Sequence, residues 1–294
     1  MGITYVDARN LVELRRDQFG GTAITLGRLN VFLHRGDLRV LRGLLAGDQA
    51  AQAWFAAYKW GDYADDFFRT VLKFDAVESI DFSDTEGATI IHDLSQNLPS
   101  KLKGRFDLAV DGGTLEHIFN YPAAVANLMR LVKVGGIAYT NGPCNNLCGH
   151  GFYQFSPDLM YRVFSIANGF EILFVRLEKT RYEPVVLTTR HPVYEVKDPR
   201  EAGTRVKLIT AVPVQIQAMA RRINDCEPFE TPMIQSDYAP DFEVREGGQS
   251  AMFHKIKSVI YHTLPHSVIS RHVFGLYRRH KASLRNRRLY GRVW

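Results

Sequence analysis

Several short apolar runs of this sequence are each followed by acidic, amide or glycine residues. Asp81 and Asp93 follow two of these runs, and an Asp111-Gly112-Gly113 turn follows a third. A carboxylate can accept hydrogen bonds from both hydroxyls of a ribose, and glycine lets the backbone approach a ligand closely. If the runs are parallel strands, these residues meet at one edge of the sheet, which predicts a site for an adenosine-containing cofactor. The alternative is that each acid only caps a local turn.

Two histidines, His117 and His150, stand where they could handle a proton. His117 follows Leu115-Glu116, and His150 lies between two glycines. An imidazole titrates near neutral pH, so both residues are predicted to be catalytic. The alternatives are a hydrogen-bonded structural role for His117 and a helix-dipole role for Glu116. The predicted substrate-binding residues are Tyr153, Gln154 and Phe155.

The three cysteines predict neither a disulfide scaffold nor a metal centre. Cys144 and Cys148 precede His150, but this spacing is not a standard zinc pattern and no fourth ligand is evident. So few cysteines suit a reducing compartment. We therefore expect free thiols and no metal.

The elements that must position these residues can be inferred from the apolar pattern. Continuous apolar runs bounded by Asp, Gly or Asn are typical of strands buried on both faces of a parallel sheet. Residues 121–133 have helical periodicity, so strand, helix and strand form a βαβ unit. Ser156 is predicted to cap a helix that runs to Ile166. The predicted strands are Thr22–Leu26, Ala76–Ile80, Ala88–Ile91, Phe106–Val110, Gly136–Thr140, Glu171–Arg176 and Val206–Val214.

This pattern predicts an α/β fold with a doubly wound, mostly parallel, seven-stranded Rossmann-like sheet and a basic helical C-terminal extension. An N-terminal helix is expected within residues 1–21. The main domain is predicted over residues 22–224, with a helical cap over residues 28–75. Residues 225–248 hold three prolines and seven acids, which indicates a linker, and residues 249–294 are predicted to be a basic helical tail.

Charge is distributed unevenly along the chain. All 31 acidic residues lie at or before Glu246, together with 27 of the 37 basic ones, which is a net charge of −4. The ten basic residues that follow give the tail +10. Three interpretations of the tail remain open, namely contact with an anionic membrane or polymer, contact with nucleic acid, and docking on the acidic main domain. Nucleic acid is the least favoured, because the main domain is not basic.

Residues 22–176 resemble the class I S-adenosylmethionine-dependent methyltransferases, in particular bacterial enzymes that act on small molecules or glycans. SIDFSD is similar to their second-strand motif, which implies that Asp81 holds the cofactor ribose. IIHDL is similar to their third-strand motif, which implies that Asp93 lies by the adenine. FDLAVDGGTLEHI and LVKVGGIAYTNGP are similar to their fourth and fifth motifs. The predicted cofactor-binding residues are Leu26, Gly27, Arg28, Asp81, Phe82, Asp93, Leu94, Asp111, Gly112 and Gly113.

The sequence departs from this family at the first loop. The usual acid and three glycines are reduced to Gly27 with Arg28 beside it, and 54 residues separate Gly27 from Asp81. We expect the extra residues to cover the pocket. Arg28 could clamp the carboxylate of the cofactor.

Together these features predict S-adenosylmethionine-dependent methylation of a small molecule or glycan, on oxygen, since no Asn-Pro-Pro-Tyr element follows the fourth strand. One alternative is a protein of this fold that binds or scaffolds with weakened catalysis. A nicotinamide enzyme is disfavoured because G-x-G-x-x-G is missing, and a nucleic-acid methyltransferase has only the tail in its favour. The sequence has neither an 18-residue apolar run nor a secretory signal, so we expect a cytoplasmic protein, peripheral at the inner membrane surface if the tail binds there.

Overall fold

The computed structural model describes residues 2–15, 20–180, 192–243 and 282–294. The protein is a mixed α/β fold built on a nine-stranded sheet with the order β11-β9-β8-β10-β7-β6-β2-β4-β5, and a two-stranded parallel sheet, β1-β3, lies apart from it. The strands are β1 (Gly2–Ile3), β2 (Thr22–Leu26), β3 (Asn30–Val31), β4 (Ala76–Asp81), β5 (Ile90–Ile91), β6 (Phe106–Gly112), β7 (Val132–Asn145), β8 (Phe170–Lys179), β9 (Val193–Val196), β10 (Val214–Arg222) and β11 (Tyr290–Arg292).

One half of the large sheet is parallel and the other half is antiparallel. Strands β5, β4, β2, β6 and β7 pair in parallel, and their order is that of a doubly wound fold whose direction of winding reverses between β2 and β6. The pairs β7–β10, β10–β8, β8–β9 and β9–β11 are antiparallel. The α/β fold is as predicted, but the sheet is mixed and has nine strands, whereas the sequence predicted seven strands that are mostly parallel. Strand β10 lies between β7 and β8 and runs opposite to both, β9 turns back beside β8, and β11 turns back beside β9, so every pairing beyond β7 is antiparallel.

Helices cover both faces of this sheet. The N-terminal helix is largely buried, and the Tyr139 hydroxyl of β7 donates to the Asp7 Oδ1 of that helix over 2.6 Å. Residues 28–75 contain two helices and a π-helical turn, Phe67–Val71, and their role as a cap over the pocket stays a prediction. The α-helices are α1 (Tyr5–Leu14), α2 (Arg35–Leu44), α3 (Gln49–Ala57), α4 (Tyr121–Leu131), α5 (Pro157–Val163) and α6 (Pro199–Ala202).

Local sequence signals located most elements well, with one clear failure. Strand β2 has the predicted bounds, and the Ser156 side chain caps α5 by accepting from the Leu159 N–H. The helix is shorter than predicted, because it ends at Val163. The strand predicted over Val206–Val214 is wrong, since β10 begins at Val214. Pro213 directly before it has no N–H to donate to a strand ladder.

The basic tail lies mostly outside the described residues, and its described end is not helical. Residues 282–289 form turns, and β11 then pairs with the edge strand β9. The Trp294 ring lies under the guanidinium groups of Arg9 and Arg176, at 4.1 and 5.0 Å. The predicted helix is therefore wrong over residues 282–294, because this segment hydrogen-bonds to a strand edge. Among the described residues, no helix is both long and apolar enough to span a membrane.

Candidate functional site

A cavity of about 740 Å³ opens at the carboxyl edge of the parallel strands. This is the edge at which doubly wound folds bind ligands, beside the point where the strand order reverses. A cavity of this size matches the range of small-molecule pockets. It is lined by Ile80, Asp81, Phe82, His92, Asp93, Leu94, Ser95, Thr114, His117, Ile118, Phe119, Asn120 and Phe152.

Two carboxylates predicted from the sequence, Asp81 and Asp93, both line this cavity. Asp81 is half-buried and ends β4; its Oδ1 accepts from the Ser83 N–H, and the hydrogen bonds of the described residues leave Oδ2 for a ligand. Asp93 Oδ1 accepts from the Ser95 N–H over 2.8 Å. Hydrogen bonds from Ser95 hold the pKa of Asp93 below its usual value, so this carboxylate is charged at neutral pH. The wall thus offers two acceptors, one at the end of β4 and one just after β5.

The loop after β2 is fixed by contacts with β4 and with the loop after β6. Gly27 has φ +72°, and its N–H donates to the Ile80 carbonyl of β4. This left-handed conformation favours glycine. The Thr114 hydroxyl donates to the Leu26 carbonyl over 2.7 Å, which ties β2 to the loop after β6. Gly112 is buried against Leu29, whose side chain occupies the place of a Cβ.

Arg28 faces a different partner from the one predicted. Its guanidinium lies over the Tyr63 ring at 3.8 Å, and its Nε forms an ion pair with Asp65 over 3.3 Å. A further guanidinium nitrogen donates to the Glu86 carbonyl. The side chain therefore joins the helical cap to the loop after β4, and the predicted clamp on a cofactor carboxylate is not supported.

Asp111 lies beneath the cavity and not in its wall. The side chain is fully buried; Oδ1 accepts from the backbone N–H groups of Thr114 and its neighbours, and Oδ2 accepts from the Thr140 hydroxyl over 2.6 Å. Burial and the nearby Glu116 carboxylate raise the pKa of Asp111. Its predicted contact with a cofactor is therefore wrong, because the turn it organises uses both of its oxygens.

The two predicted catalytic histidines come together from separate loops. The ring centroids of His117 and His150 are 5.3 Å apart, and both side chains are exposed. Beneath them Glu116 is 1% exposed, and its Oε1 lies 3.4 Å from His150 Nε2. The hydrogen bond that His150 donates to the Glu116 carboxylate raises the pKa of His150 above its ordinary value. The three residues form one cluster at the rim of the cavity, where His117 lines the wall.

Among the aromatic residues that line the cavity, Phe82 was predicted to bind the cofactor, whereas the predicted substrate-binding Tyr153 and Phe155 do not line it. Phe155 is 1% exposed and packs in the core, so its predicted contact with a substrate is wrong. Tyr153 donates its hydroxyl to the Phe119 carbonyl. Gln154 accepts from the Leu147 N–H. The exposed rings beside the cavity are Phe82, Phe119 and Phe152, and the last two meet edge to face at 5.7 Å.

Sequence reasoning missed four contributors to the site. From the sequence, Glu116 was given only a structural role with the helix dipole, although a carboxylate beside a histidine can take part in proton transfer or ligand binding. Phe119 and Phe152 follow the two histidines by two residues each, and this repeated spacing was the available signal. His92 also lines the cavity, and its buried Nε2 has no hydrogen-bond partner among the described residues.

Comparison with known proteins yields structural similarity only. No family model matches the sequence, and neither does any curated protein. A 1,6-didemethyltoxoflavin-N1-methyltransferase from Burkholderia thailandensis superposes over 74% of this chain and 78% of its own, with 12% identity and a TM-score of 0.37. A SAM-dependent methyltransferase from Thermotoga maritima superposes over 74% of this chain and 89% of its own, with 15% identity and a TM-score of 0.39. A geranyl diphosphate methyltransferase superposes over 74% of this chain and 85% of its own, with 14% identity and a TM-score of 0.36. These superpositions are loose, so the function has to be inferred from the residues of this chain.

Proposed function

We propose that this protein transfers a methyl group from S-adenosylmethionine to a hydroxyl of a small molecule or glycan. The observation that carries the proposal is the pair Asp81 and Asp93 on a 740 Å³ cavity at the carboxyl edge of the sheet. Of the three methyltransferases compared above, one is SAM-dependent, one has S-adenosylhomocysteine bound and one is in complex with SAM, which agrees with the resemblance of residues 22–176.

The residues of the cavity fit this cofactor. The half-buried Asp81 can accept from ribose hydroxyls, and Asp93, ionised at neutral pH, can accept from the adenine amine. The unpartnered Nε2 of His92 lines the same wall and offers a further hydrogen-bonding atom. The exposed Phe82 ring follows Asp81 and can cover the flat face of a base.

The acceptor end of the site is assigned to the cluster of Glu116, His117 and His150. When bound, the cofactor supplies the electrophilic methyl group, so the protein has to place the acceptor in line with it and exclude water. Phe119 and Phe152 offer aromatic surface on which a sugar or phenol ring can pack. The cluster beside them is the polar group that can activate a hydroxyl.

Calorimetry with the full-length chain tests the cofactor assignment. Asp81→Asn should weaken S-adenosylmethionine binding roughly tenfold or more, because a charge-assisted hydrogen bond contributes about 1.5–3 kcal/mol. The matched control is Asp84→Asn, three residues on, whose exposed side chain does not line the cavity. No binding by the unaltered protein, or equal affinity in Asp81→Asn, would contradict the proposal.

A further inference from the structure

Glu116, His117 and His150 bring three metal-ligating atoms together at the acceptor end of the cavity. One carboxylate oxygen and one nitrogen from each imidazole all lie within 4.8 Å of one another. The backbone holds the group in place, since the Phe152 N–H donates to the Glu116 carbonyl over 2.8 Å. Gly151, at φ +82°, lets the loop that carries His150 pack directly on Glu116. The arrangement therefore results from two segments that are locked to each other.

The carboxylate of Glu116 is left incompletely paired. It is 1% exposed, and its Oε2 has no hydrogen-bond partner among the described residues. A buried carboxylate without full pairing is costly. The buried carboxyl group of Asp111 lies nearby, and in the described parts of the chain neither acid forms an ion pair with a lysine or arginine. In the described structure only the histidine beside Glu116 can offset the charge of these acids, and a cation bound to the histidines would take over that role.

The donor set determines which cation fits. Two imidazoles and one carboxylate suit divalent first-row transition ions such as Zn²⁺, Fe²⁺ and Co²⁺, whereas Mg²⁺ and Ca²⁺ prefer oxygen ligands. Ligands about 2.0–2.1 Å from one ion lie roughly 3.3 Å apart, and Glu116 Oε1 and His150 Nε2 are already 3.4 Å apart. His117 is exposed, so its ring can turn inward to complete the set.

We propose that Glu116, His117 and His150 bind one divalent transition-metal ion, with open coordination positions that face the cavity. The role of this ion rests on the proposed function, because an acceptor hydroxyl that reached it would have a lower pKa and lose its proton more easily. Metal binding itself depends only on the three side chains and can be measured without an acceptor. The site contains no cysteine. It therefore differs from the combination of Cys144, Cys148 and His150, whose spacing is not a standard zinc pattern.

This site is tested by titrating the EDTA-treated full-length chain with Co²⁺ and monitoring visible absorption. Calorimetry with Zn²⁺ gives the affinity. Glu116→Gln and His150→Ala should each weaken the tightest site about tenfold or more, since even outer-sphere changes at metal sites cost ~10–100-fold. Glu116→Gln keeps the shape of the side chain, so it separates loss of a ligand from loss of the fold. Cys148→Ser, an exposed residue of the same loop, is the matched control and should change nothing.

Two further measurements, metal stoichiometry and cofactor affinity, make the result decisive. Five of the ten histidines lie after residue 246 and can also bind the added metal. The number of bound ions is therefore compared between variants, and we expect one site fewer in Glu116→Gln and in His150→Ala. Equal stoichiometry and affinity in the unaltered protein and both variants would overturn the metal site. S-adenosylmethionine affinity, measured in parallel, should stay unchanged in these variants. If the unaltered protein does not bind the cofactor but binds the metal, the proposed function is overturned and the metal site is retained.

Discussion

Buried acids in this protein have different tasks according to what surrounds them. Asp111 uses both oxygens to organise the turn after β6, whereas Glu116, beside His150, has one oxygen without a hydrogen-bond partner in the described parts of the chain. Glu178 is a third case, because it lies in the sheet away from the cavity and accepts from Gln217 Nε2 over 3.3 Å. Desolvation, reinforced by the nearby Asp7, raises the pKa of Glu178 to about 8. Burial raises the pKa of Asp111 and of Glu178, and the groups around each carboxylate, not its place in a motif, determine what it binds.

Glu178→Gln should stabilise the protein at alkaline pH. The folded-state pKa of Glu178 is raised, so its contribution to stability is fully present below the unfolded pKa of about 4.3 and is lost as pH rises to about 8. Glutamine mimics the protonated acid and is not subject to this loss. The melting temperature of the variant should exceed that of the unaltered protein by several degrees at pH 8.5 and differ little at pH 4.5.

The control for this prediction is Glu171→Gln, an exposed residue of the same strand. It should leave the melting temperature within a degree or two at both values of pH, as is usual for exposed sites. A Glu178→Gln variant that is less stable at pH 8.5 than at pH 4.5, relative to the unaltered protein, would show that Glu178 is ionised in the fold.

At the scale of elements, the loop between β7 and α5 builds the acceptor end of the site. It runs from Asn146 to Ser156 and carries His150 and Phe152. Its contact with the 3₁₀ turn Leu115–His117 depends on Gly151, because a Cβ there would lie 2.8 Å from the Glu116 carbonyl oxygen. A side chain at this position would push two pieces of backbone apart.

Gly151→Ala should therefore destabilise the protein by about 1–3 kcal/mol, since it combines a left-handed residue with overpacking. Thermal unfolding, monitored by intrinsic fluorescence, measures the effect. Gly149→Ala is the matched variant two residues earlier, where a Cβ would meet nothing within 4 Å. If both variants melt at the same temperature, the loop does not depend on this close approach.

At the scale of the whole molecule, the C-terminus belongs to the fold even though the tail is the most basic part of the chain. Strand β11 pairs with β9, and the Val293 N–H donates to the Val193 carbonyl over 2.8 Å. A truncation after Gly248 would remove these contacts together with the positive charge. Charge neutralisation within residues 255–281 is therefore the cleaner way to test peripheral membrane contact.

We expect the full-length chain to co-sediment with vesicles that contain an anionic phospholipid at low salt and to dissociate at high salt, because salt screens the attraction between basic residues and an anionic surface. Replacing Arg278, Arg279 and Lys281 with glutamine should reduce the bound fraction. The control replaces Arg35, Arg39 and Lys59, which are exposed on the helical cap, with the same loss of charge. If the chain stays in the supernatant at low salt, the tail is not a membrane anchor.

The sequence alone determined the features that depend on neighbours along the chain. Apolar continuity and bounding polar residues located β2, β4 and β6, and helical periodicity located α4, because these patterns follow from the geometry of a strand or a helix. The positions of Asp81 and Asp93 at the cavity followed as well, since parallel strands bring their carboxyl ends to one edge. Their roles as ligands remain predictions.

Only the tertiary structure decided the features that depend on partners distant in sequence. The antiparallel half of the sheet results from pairings between separate segments, which no local pattern specifies. The burial of Phe155 and the exposure of Phe152 differ because of what packs around each ring. Glu116 and His150 lie 34 residues apart in the chain, and their 3.4 Å contact exists because the loop after β7 folds onto the turn after β6. Long-range packing determines which side chains meet, and it therefore made two separate histidines and an overlooked acid into one cluster.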